Sequence, residues 1–446
     1  MKHFITLQAV AKCGTKAKSS RKRRRASAGI ACSILIDAMK SQSYRGILTD
    51  RPRQLHRRGA SSETAREINR DIILGAVRRH QPMSRADLAR LTGLRASTVS
   101  AIIARLIEDR WLSHGYLAQS ARGRRPTKIA LDDRNVVLAI DLRPEHANLA
   151  LVDINGKLLQ RKKVDFSSQR DSKVKAETAI EKVLVAAREL RKMSRKLIMH
   201  GVGVSVSGRV DPKTKHLVFS PNSPWMGIDL RGELQRALGR QVQIDNAANS
   251  CLIAEQWFGE CADVSNMIAV SVSEGIGTGL LVDGRLLRGE DGLAGEFGHM
   301  PFDESGPLCG CNNKGCWETF ASTRAGLRYY RELMPQTQLR WFPDLVDLAV
   351  AGDSKSLQCI DRMTTALARG LAILSAGLSP EVIVIVGECT ALWDRIRPVI
   401  QSELAAKSIT RRIPRLVAAM EGDTARLRGA AALVFQRVLF RGMELV

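Results

Sequence analysis

The feature that most constrains this chain is a set of four metal-binding side chains, His299-x9-Cys309-x-Cys311-x4-Cys316, crowded into one short stretch. Three thiolates and an imidazole make the tetrahedral soft-to-borderline set that suits Zn2+. Pro307, Gly310 and Gly315 supply the tight turns that let such closely spaced groups converge on one ion. No fifth ligand is evident, so the spacing predicts a closed, structural site with one Zn2+ per chain. The chain has nine cysteines, an odd number with three of them clustered, which argues for a reducing compartment and against a disulfide framework.

Charge divides the chain unevenly. The net charge is +24, and residues 1–130 hold 28 Lys+Arg against 8 Asp+Glu, while the remainder holds 41 against 37. A basic front end on a nearly neutral body predicts a nucleic-acid-binding module joined to something else. The 44% hydrophobic and 26% charged fractions exclude wholesale disorder. No run reaches the ~18 uninterrupted apolar residues of a membrane helix, so no bilayer-spanning segment is expected. At 446 residues, about three domains are expected.

Residues 1–60 include Lys16-Ala-Lys-Ser-Ser-Arg-Lys-Arg-Arg-Arg25 and only two acids, Asp37 and Asp50. They are expected to be a basic, disordered extension, or to precede the true translation start. Residues 64–130 read as a winged helix-turn-helix. Ile68, Ile72, Ile73 and Val77 recur at helical spacing, in a helix ending near His80-Gln-Pro82. Ser84 then caps a short helix with Leu88 and Leu91 on its apolar face. Thr92-Gly93-Leu94 makes the turn, and Val99, Ile102, Ile103 and Leu106 stripe the next helix. That leaves Arg95, Ser97, Thr98, Ala101 and Arg105 to face the major groove. The stretch Ser120 to Pro126, with Arg122, Arg124 and Arg125, reads as the tip of a wing that follows phosphates or enters a narrow minor groove.

From 133 to 446 the pattern alternates strand and helix. Val136–Asp141, Ala147–Asp153, Gly201–Ser205, Val242–Asp245, Met267–Val272 and Val382–Val386 are apolar strands, with a hairpin signal at Ile154-Asn-Gly156. Helices are expected over 174–193, Leu230–Leu238 and Thr424–Leu439. The whole predicts a two-lobed α/β body with its site between the lobes. Lobe one is expected to span about 133–246 plus the C-terminal helix, and lobe two about 247–423.

The stretch Gly292-Leu-Ala-Gly-Glu-Phe-Gly-His-Met-Pro301, continuing into Cys309-Gly-Cys-Asn-Asn-Lys-Gly-Cys-Trp-Glu318, resembles the signature of the ROK family of sugar kinases and sugar-responsive repressors. The resemblance runs over 64–440 and includes Ser271-Val-Ser-Glu-Gly-Ile-Gly-Thr-Gly279. The front module, from Met83 through Leu94 to Gly123-Arg-Arg-Pro126, resembles that of the repressors. It implies an actin- and hexokinase-like fold holding a sugar between the lobes. It also implies sugar contacts at Asn222, Asn246, Glu296, His299 and Glu318, with His299 serving metal and sugar together.

The chain departs from the kinase pattern in three places. Where kinases of this family read Asn-Asp-x-Asn, with Asp as general base, this chain reads Asn246-Ala-Ala-Asn249. Asp245 lies upstream and aligns with a different position. The first phosphate loop, Asp-x-Gly-Gly-Thr in kinases, reads Asp141-Leu-Arg-Pro-Glu145, which replaces close-approach glycines with bulky side chains. Glu274 stands where a Thr hydroxyl is usual. Glu145 and Glu274 are expected to repel a triphosphate. No catalytic residues are therefore assigned.

The resemblance implies a bacterial, cytoplasmic, nucleoid-associated regulator, most readily a repressor. Its implied partners are operator DNA, a small carbohydrate or sugar-phosphate effector, and a second copy of the chain in a homodimer or higher oligomer. An active sugar kinase carrying a DNA-binding arm, and a dimerising DNA-binding protein that has lost ligand sensing, are the alternatives.

Overall fold

The computed structural model describes residues 62–117, 127–166, 176–194, 196–220, 223–408, 412–419, 422 and 424–440. The basic extension 1–60, Arg122, Arg124 and Arg125 of the wing tip, and Asn222 lie outside the described residues.

Three helices open it: α1 (Ser62–His80), α2 (Arg85–Thr92) and α3 (Ala96–Glu108). The start of α2 is fixed by a reciprocal capping box. The Ser84 side chain accepts from Asp87 N, and the Asp87 carboxylate accepts from Ser84 N. Its end is fixed by Gly93, at φ +69°, whose left-handed backbone lets the chain turn at once into α3. Ile73, Leu74, Val77, Leu88, Val99, Ile103 and Leu106 are at most 1% exposed and form the core of this unit. The expected apolar stripes are partly corrected. Ile68, Ile72 and Leu91 are 40–52% exposed, and Ile102 is half-buried. Strands β1 (Leu112–Leu117) and β2 (Thr127–Leu131) pair antiparallel, Leu112 opposite Leu131, as the stem of the wing.

Two sheets of like construction follow. In the first, β3 (Asn135–Leu142), β4 (His146–Asp153) and β5 (Leu158–Asp165) form an antiparallel meander turning at Gly156. Helix α4 (Ala176–Met193) crosses to β6 (Ile198–Val206), parallel to β3. The small hairpin β7 (Arg209–Val210) and β8 (Leu217–Phe219) and helix α5 (Leu230–Leu238) lead to β9 (Val242–Asn246), giving the order β5-β4-β3-β6-β9. Helix α6 (Ala247–Phe258) passes to the second sheet. There β10 (Met267–Val272), β11 (Ile276–Val282) and β12 (Arg285–Leu286) repeat the meander. Helices α7 (Glu318–Ala321), α8 (Thr323–Leu333), α9 (Phe342–Val350) and α10 (Ser354–Leu378) precede β13 (Val382–Val386). Helix α11 (Trp393–Lys407), β14 (Arg415–Ala418) and α12 (Ala425–Leu439) finish it, in the order β12-β11-β10-β13-β14. Strands β3, β10 and β13 are buried at every position, as expected of central strands covered on both faces.

Helices α6 and α12 pack against each other between the sheets, α12 on β6 and β3, α6 on β10 and β11. The close approach of α12 to β6 needs Gly203, where a Cβ would fall 1.8 Å from the Ala430 carbonyl oxygen. The apolar cluster around these helices includes Trp257, Phe435, Leu439 and Phe440 together with Ile73, Leu74 and Val77 of α1 and Leu88, Val99 and Ile103 of the other two helices. The winged helix and the body thus share one hydrophobic core.

Candidate functional site

Arg95, just before α3, and Ser97, Ala101 and Arg105 on it are exposed, and Thr98 is half-buried. Arg95 is the N-cap residue but makes no side-chain cap, and the first turn carries no acid. A guanidinium and the positive end of a helix dipole are therefore presented together, an arrangement suited to a phosphate.

The four predicted metal ligands converge. A short 3-10 turn, Glu296–His299, brings His299 over the loop that carries the cysteines. His299 Nδ1 is 3.5 Å from Cys309 Sγ, Cys311 Sγ is 3.6 Å from Cys316 Sγ, and all four ligand atoms lie within 4.8 Å of one another. A tetrahedral ion with metal–sulfur bonds of about 2.3 Å sets its ligands roughly 3.5–3.8 Å apart. The donor set and its spacing fit a metal. The loop is locked by Phe302 N and Asp303 N donating to Gly315 O, and by Cys309 N donating to Asn313 O.

His299 turns its other face to a cleft between the lobes. Its Nε2 lies 3.8 Å from Glu296 Oε2, and its Nδ1 3.7 Å from Glu318 Oε1. Glu318 accepts from the Cys309 thiol at 2.9 Å and from Ile276 N at 3.3 Å, so it joins the metal loop to β11 instead of capping its own helix. A Cβ at position 275 would fall 2.4 Å from Glu318 Oε2, so glycine there admits the carboxylate. Burial raises the Glu296 pKa, opposed by His299 and Arg209. Asn246 lines the same cleft, but its side-chain oxygen caps α6 by accepting from Asn249 N at 2.8 Å, which leaves its amide NH2 to donate.

The cleft has a volume of about 160 Å³ and is also lined by Ala247, Ser273, Glu274 and Arg426. Three further lining residues escaped sequence reasoning: Arg209, Phe219 and Arg324. Phe219 sets its ring edge-on to His299 at 6.4 Å, and the Arg209 Nε is buried with no hydrogen-bond partner among the described residues. Nothing local marks these residues, since β7, β8 and the start of α8 meet only through the tertiary fold.

The kinase-pattern departures resolve unevenly. Ala247 faces the cleft as the first residue of α6. Asp245 is 2% exposed and fully engaged. It pairs with Arg288 at 2.6 Å and accepts from the Asn249 side chain at 3.0 Å and from Asn246 N at 2.8 Å. The expected repulsion by Glu145 and Glu274 is corrected. Glu145 is exposed and does not line the cleft, while Glu274 faces the buried Arg143 and is held ionised, at a pKa of about 2, by Arg143 and Arg426 against the cost of its burial.

The ROK family model matches residues 137–437, and the MarR family model matches 72–125. The xylose repressor of Bacillus subtilis is 30% identical over 329 residues, covering 73% of this chain and 83% of the relative. A solved ROK family transcriptional regulator, a homolog of the E. coli MLC protein, shares the fold at TM-score 0.68 and 23% identity, over 84% of this chain and 97% of that one. A ROK family glucokinase from Streptomyces griseus, solved with glucose and AMPPNP, matches at TM-score 0.61 and 26% identity, over 68% of this chain and 99% of its own. The chain belongs to the ROK family, with a MarR-type winged helix in front of its ROK body.

Proposed function

We propose that this chain is a sugar-responsive transcriptional repressor whose body binds a carbohydrate or sugar phosphate without phosphorylating it. The observation that carries this reading is the combination at one cleft of Glu296, His299 and Glu318 with Ala247 at the base position. Carboxylates accept from adjacent sugar hydroxyls, and the His299 ring, oriented through its metal-facing nitrogen, adds a further polar contact. Arg209 and Arg324 would meet a phosphate or carboxylate on the ligand. Asn222 and Asn246 complete the proposed sugar set. A methyl group at 247 cannot take a proton from a sugar hydroxyl.

The metal at His299, Cys309, Cys311 and Cys316 is Zn2+ in this reading, structural and one per chain. DNA is held by the winged helix at 64–130, with Arg95, Ser97, Thr98, Ala101 and Arg105 toward base edges and Arg122, Arg124 and Arg125 on the backbone. The body at 133–446 senses the effector. The protein acts in the bacterial cytoplasm, as a homodimer or higher oligomer on a two-fold operator.

The test is fluorescence anisotropy of the full chain on DNA selected by it from a random pool, titrated with sugars and sugar phosphates. Affinity should fall steeply with salt and change with one effector class. Sequence-independent binding that no sugar or sugar phosphate alters would overturn the reading.

A further inference from the structure

We propose that Arg143 is an internal cation that latches the two lobes together at the base of the cleft, so that the body holds its interlobe angle without a nucleotide. Arg143 follows β3 in the first sheet and is 7% exposed. Its Nε donates to Asp141 Oδ2 of β3 at 2.9 Å. A terminal nitrogen then crosses to the other lobe, where it lies 3.2 Å from Glu388 Oε1 and 3.8 Å from Glu274 Oε1. Glu274 sits between β10 and β11, and Glu388 follows β13. Arg143 itself lies in the stretch that stands in place of the first phosphate loop of the family's kinases, and Glu274 stands where a Thr hydroxyl is usual in them. Here the Glu274 and Glu388 carboxylates grip a protein guanidinium.

A second arginine runs parallel. Arg426, on α12 against the first sheet, is 4% exposed and lies 3.6 Å from Asp141 Oδ1. It donates to Ser273 Oγ at 2.6 Å and Ser271 Oγ at 3.4 Å in the second lobe. Arg143 is aimed before it crosses, because its carbonyl accepts from the buried Trp225 indole at 3.1 Å. Its planar fork suits several carboxylates at once, as a lysine would not. Nearer the surface, Lys163 Nζ of β5 stands 5.8 Å over the Trp341 ring just before α9, a further lobe-to-lobe contact.

Removing the cation leaves Asp141, Glu274 and Glu388 facing one another with Arg426, and His146 beside Glu274, as the remaining near counter-charges among the described residues. A buried pair broken from one side leaves uncompensated charge, so the lobes should part. The experiment is hydrogen exchange with small-angle scattering on the full chain, comparing wild type with Arg143→Met. Backbone amides of 271–275 and 387–390 should exchange at least about tenfold faster, with a larger radius of gyration. Unchanged exchange in α2 and α3 would report that the chain remains folded. Glu388→Gln, a milder change at a half-buried site, should move both loops in the same direction and serves if Arg143→Met does not fold. The triple variant Arg143→Met, Glu274→Gln, Glu388→Gln removes the repulsion together with the grip. It should remain loose. Wild-type protection in both loops of Arg143→Met or of Glu388→Gln, or its full return in the triple variant, would overturn the latch.

Discussion

The Arg78 guanidinium lies 4.6 Å above the centre of the Trp257 ring and donates to the Trp257 carbonyl oxygen at 2.7 Å. Arg78 belongs to α1 of the winged helix, and Trp257 to the last turn of α6. The other end of α6 is Ala247, which lines the cleft. One helix, about 18 Å long at 1.5 Å per residue, therefore connects the candidate sugar site to the DNA-binding module. A ligand changes DNA affinity only through unequal binding to two arrangements of the protein, and a rigid helix seated in a shared core is a physical route for that bias.

Arg78→Met should therefore uncouple the two functions. Burial pushes the Arg78 pKa down to about 10, so it is still charged at neutral pH and gives up both a cation–π contact and a charged hydrogen bond when replaced. A stability loss of about 1–3 kcal/mol is expected. The diagnostic result is in binding. Sugar affinity should be retained, while the ratio of DNA affinities with and without sugar moves toward unity. An unchanged ratio would place the coupling elsewhere.

Acid should loosen the same junction through His200. Its ring stacks on Trp111 with centroids 4.4 Å apart, and Phe435 approaches edge-on at 6.3 Å. Asn135 donates its amide to Arg110 O and Asp132 O, which turns its oxygen to His200 Nε2 at 2.7 Å and fixes the neutral tautomer with the proton on Nε2. Burial, then the positive charge of Arg240, lowers the His200 pKa to about 4. The unfolded chain thus binds a proton near pH 6.5 that the folded chain refuses, so stability is complete above that pH and falls as pH drops toward 4. The loss should be on the order of 2 kcal/mol after allowing for partial exposure. Urea midpoints at pH 7.5 and 5 measure it, and His200→Gln should flatten the difference.

Metal removal should act on both sites at once. One zinc per chain is expected by metal analysis of protein purified without chelators, and Cys311→Ser should lose it. A closed site couples binding to folding, so the melting temperature should fall. Sugar affinity should fall as well, because His299 presents one nitrogen to Cys309 of the proposed metal site and the other to Glu296. Full sugar affinity in a zinc-free Cys311→Ser protein would separate the two sites.

What could be read from the sequence was local. The capping box at Ser84, the left-handed Gly93 turn, the alternating strands and the crowded cysteines are each written within a few neighbouring residues. What could not be read depends on distant partners. Periodicity placed Ile68 and Leu91 on apolar stripes but could not say which stripe another element covers. Glu274 reads alone as a repulsive charge, and only its approach to Arg143, 131 positions earlier in the chain, turns it into half of an ion pair. Arg209 and Phe219 enter the cleft because the small hairpin of β7 and β8 folds beside His299, which no spacing rule reports.

The same distant partners bear on catalysis. Sugar-dependent ATP consumption should be absent, and Ala247→Asp alone should restore little of it. A missing general base costs typically ~10²–10⁴-fold, so replacing it could recover no more than that factor. Asp245 cannot stand in meanwhile, since Arg288 and Asn249 hold its carboxylate in a 2% exposed position. The triphosphate side is the larger obstacle. Positioning and electrostatic stabilisation supply nearly all of phosphoryl transfer, and both need loops free to wrap the phosphates. Here Arg143, in the stretch that replaces the first phosphate loop, is tied to Glu274 and Glu388 of the opposite lobe. A triphosphate would have to displace the arginine and then face the two released carboxylates. The proposed sugar contacts, Glu296, His299 and Glu318, lie outside that ion cluster and should persist. The check is a coupled ATPase assay beside sugar-binding calorimetry on one preparation of wild type and of Ala247→Asp. Binding without turnover in both is the expected result, and robust turnover by the unmodified chain would show that the phosphate loops open after all.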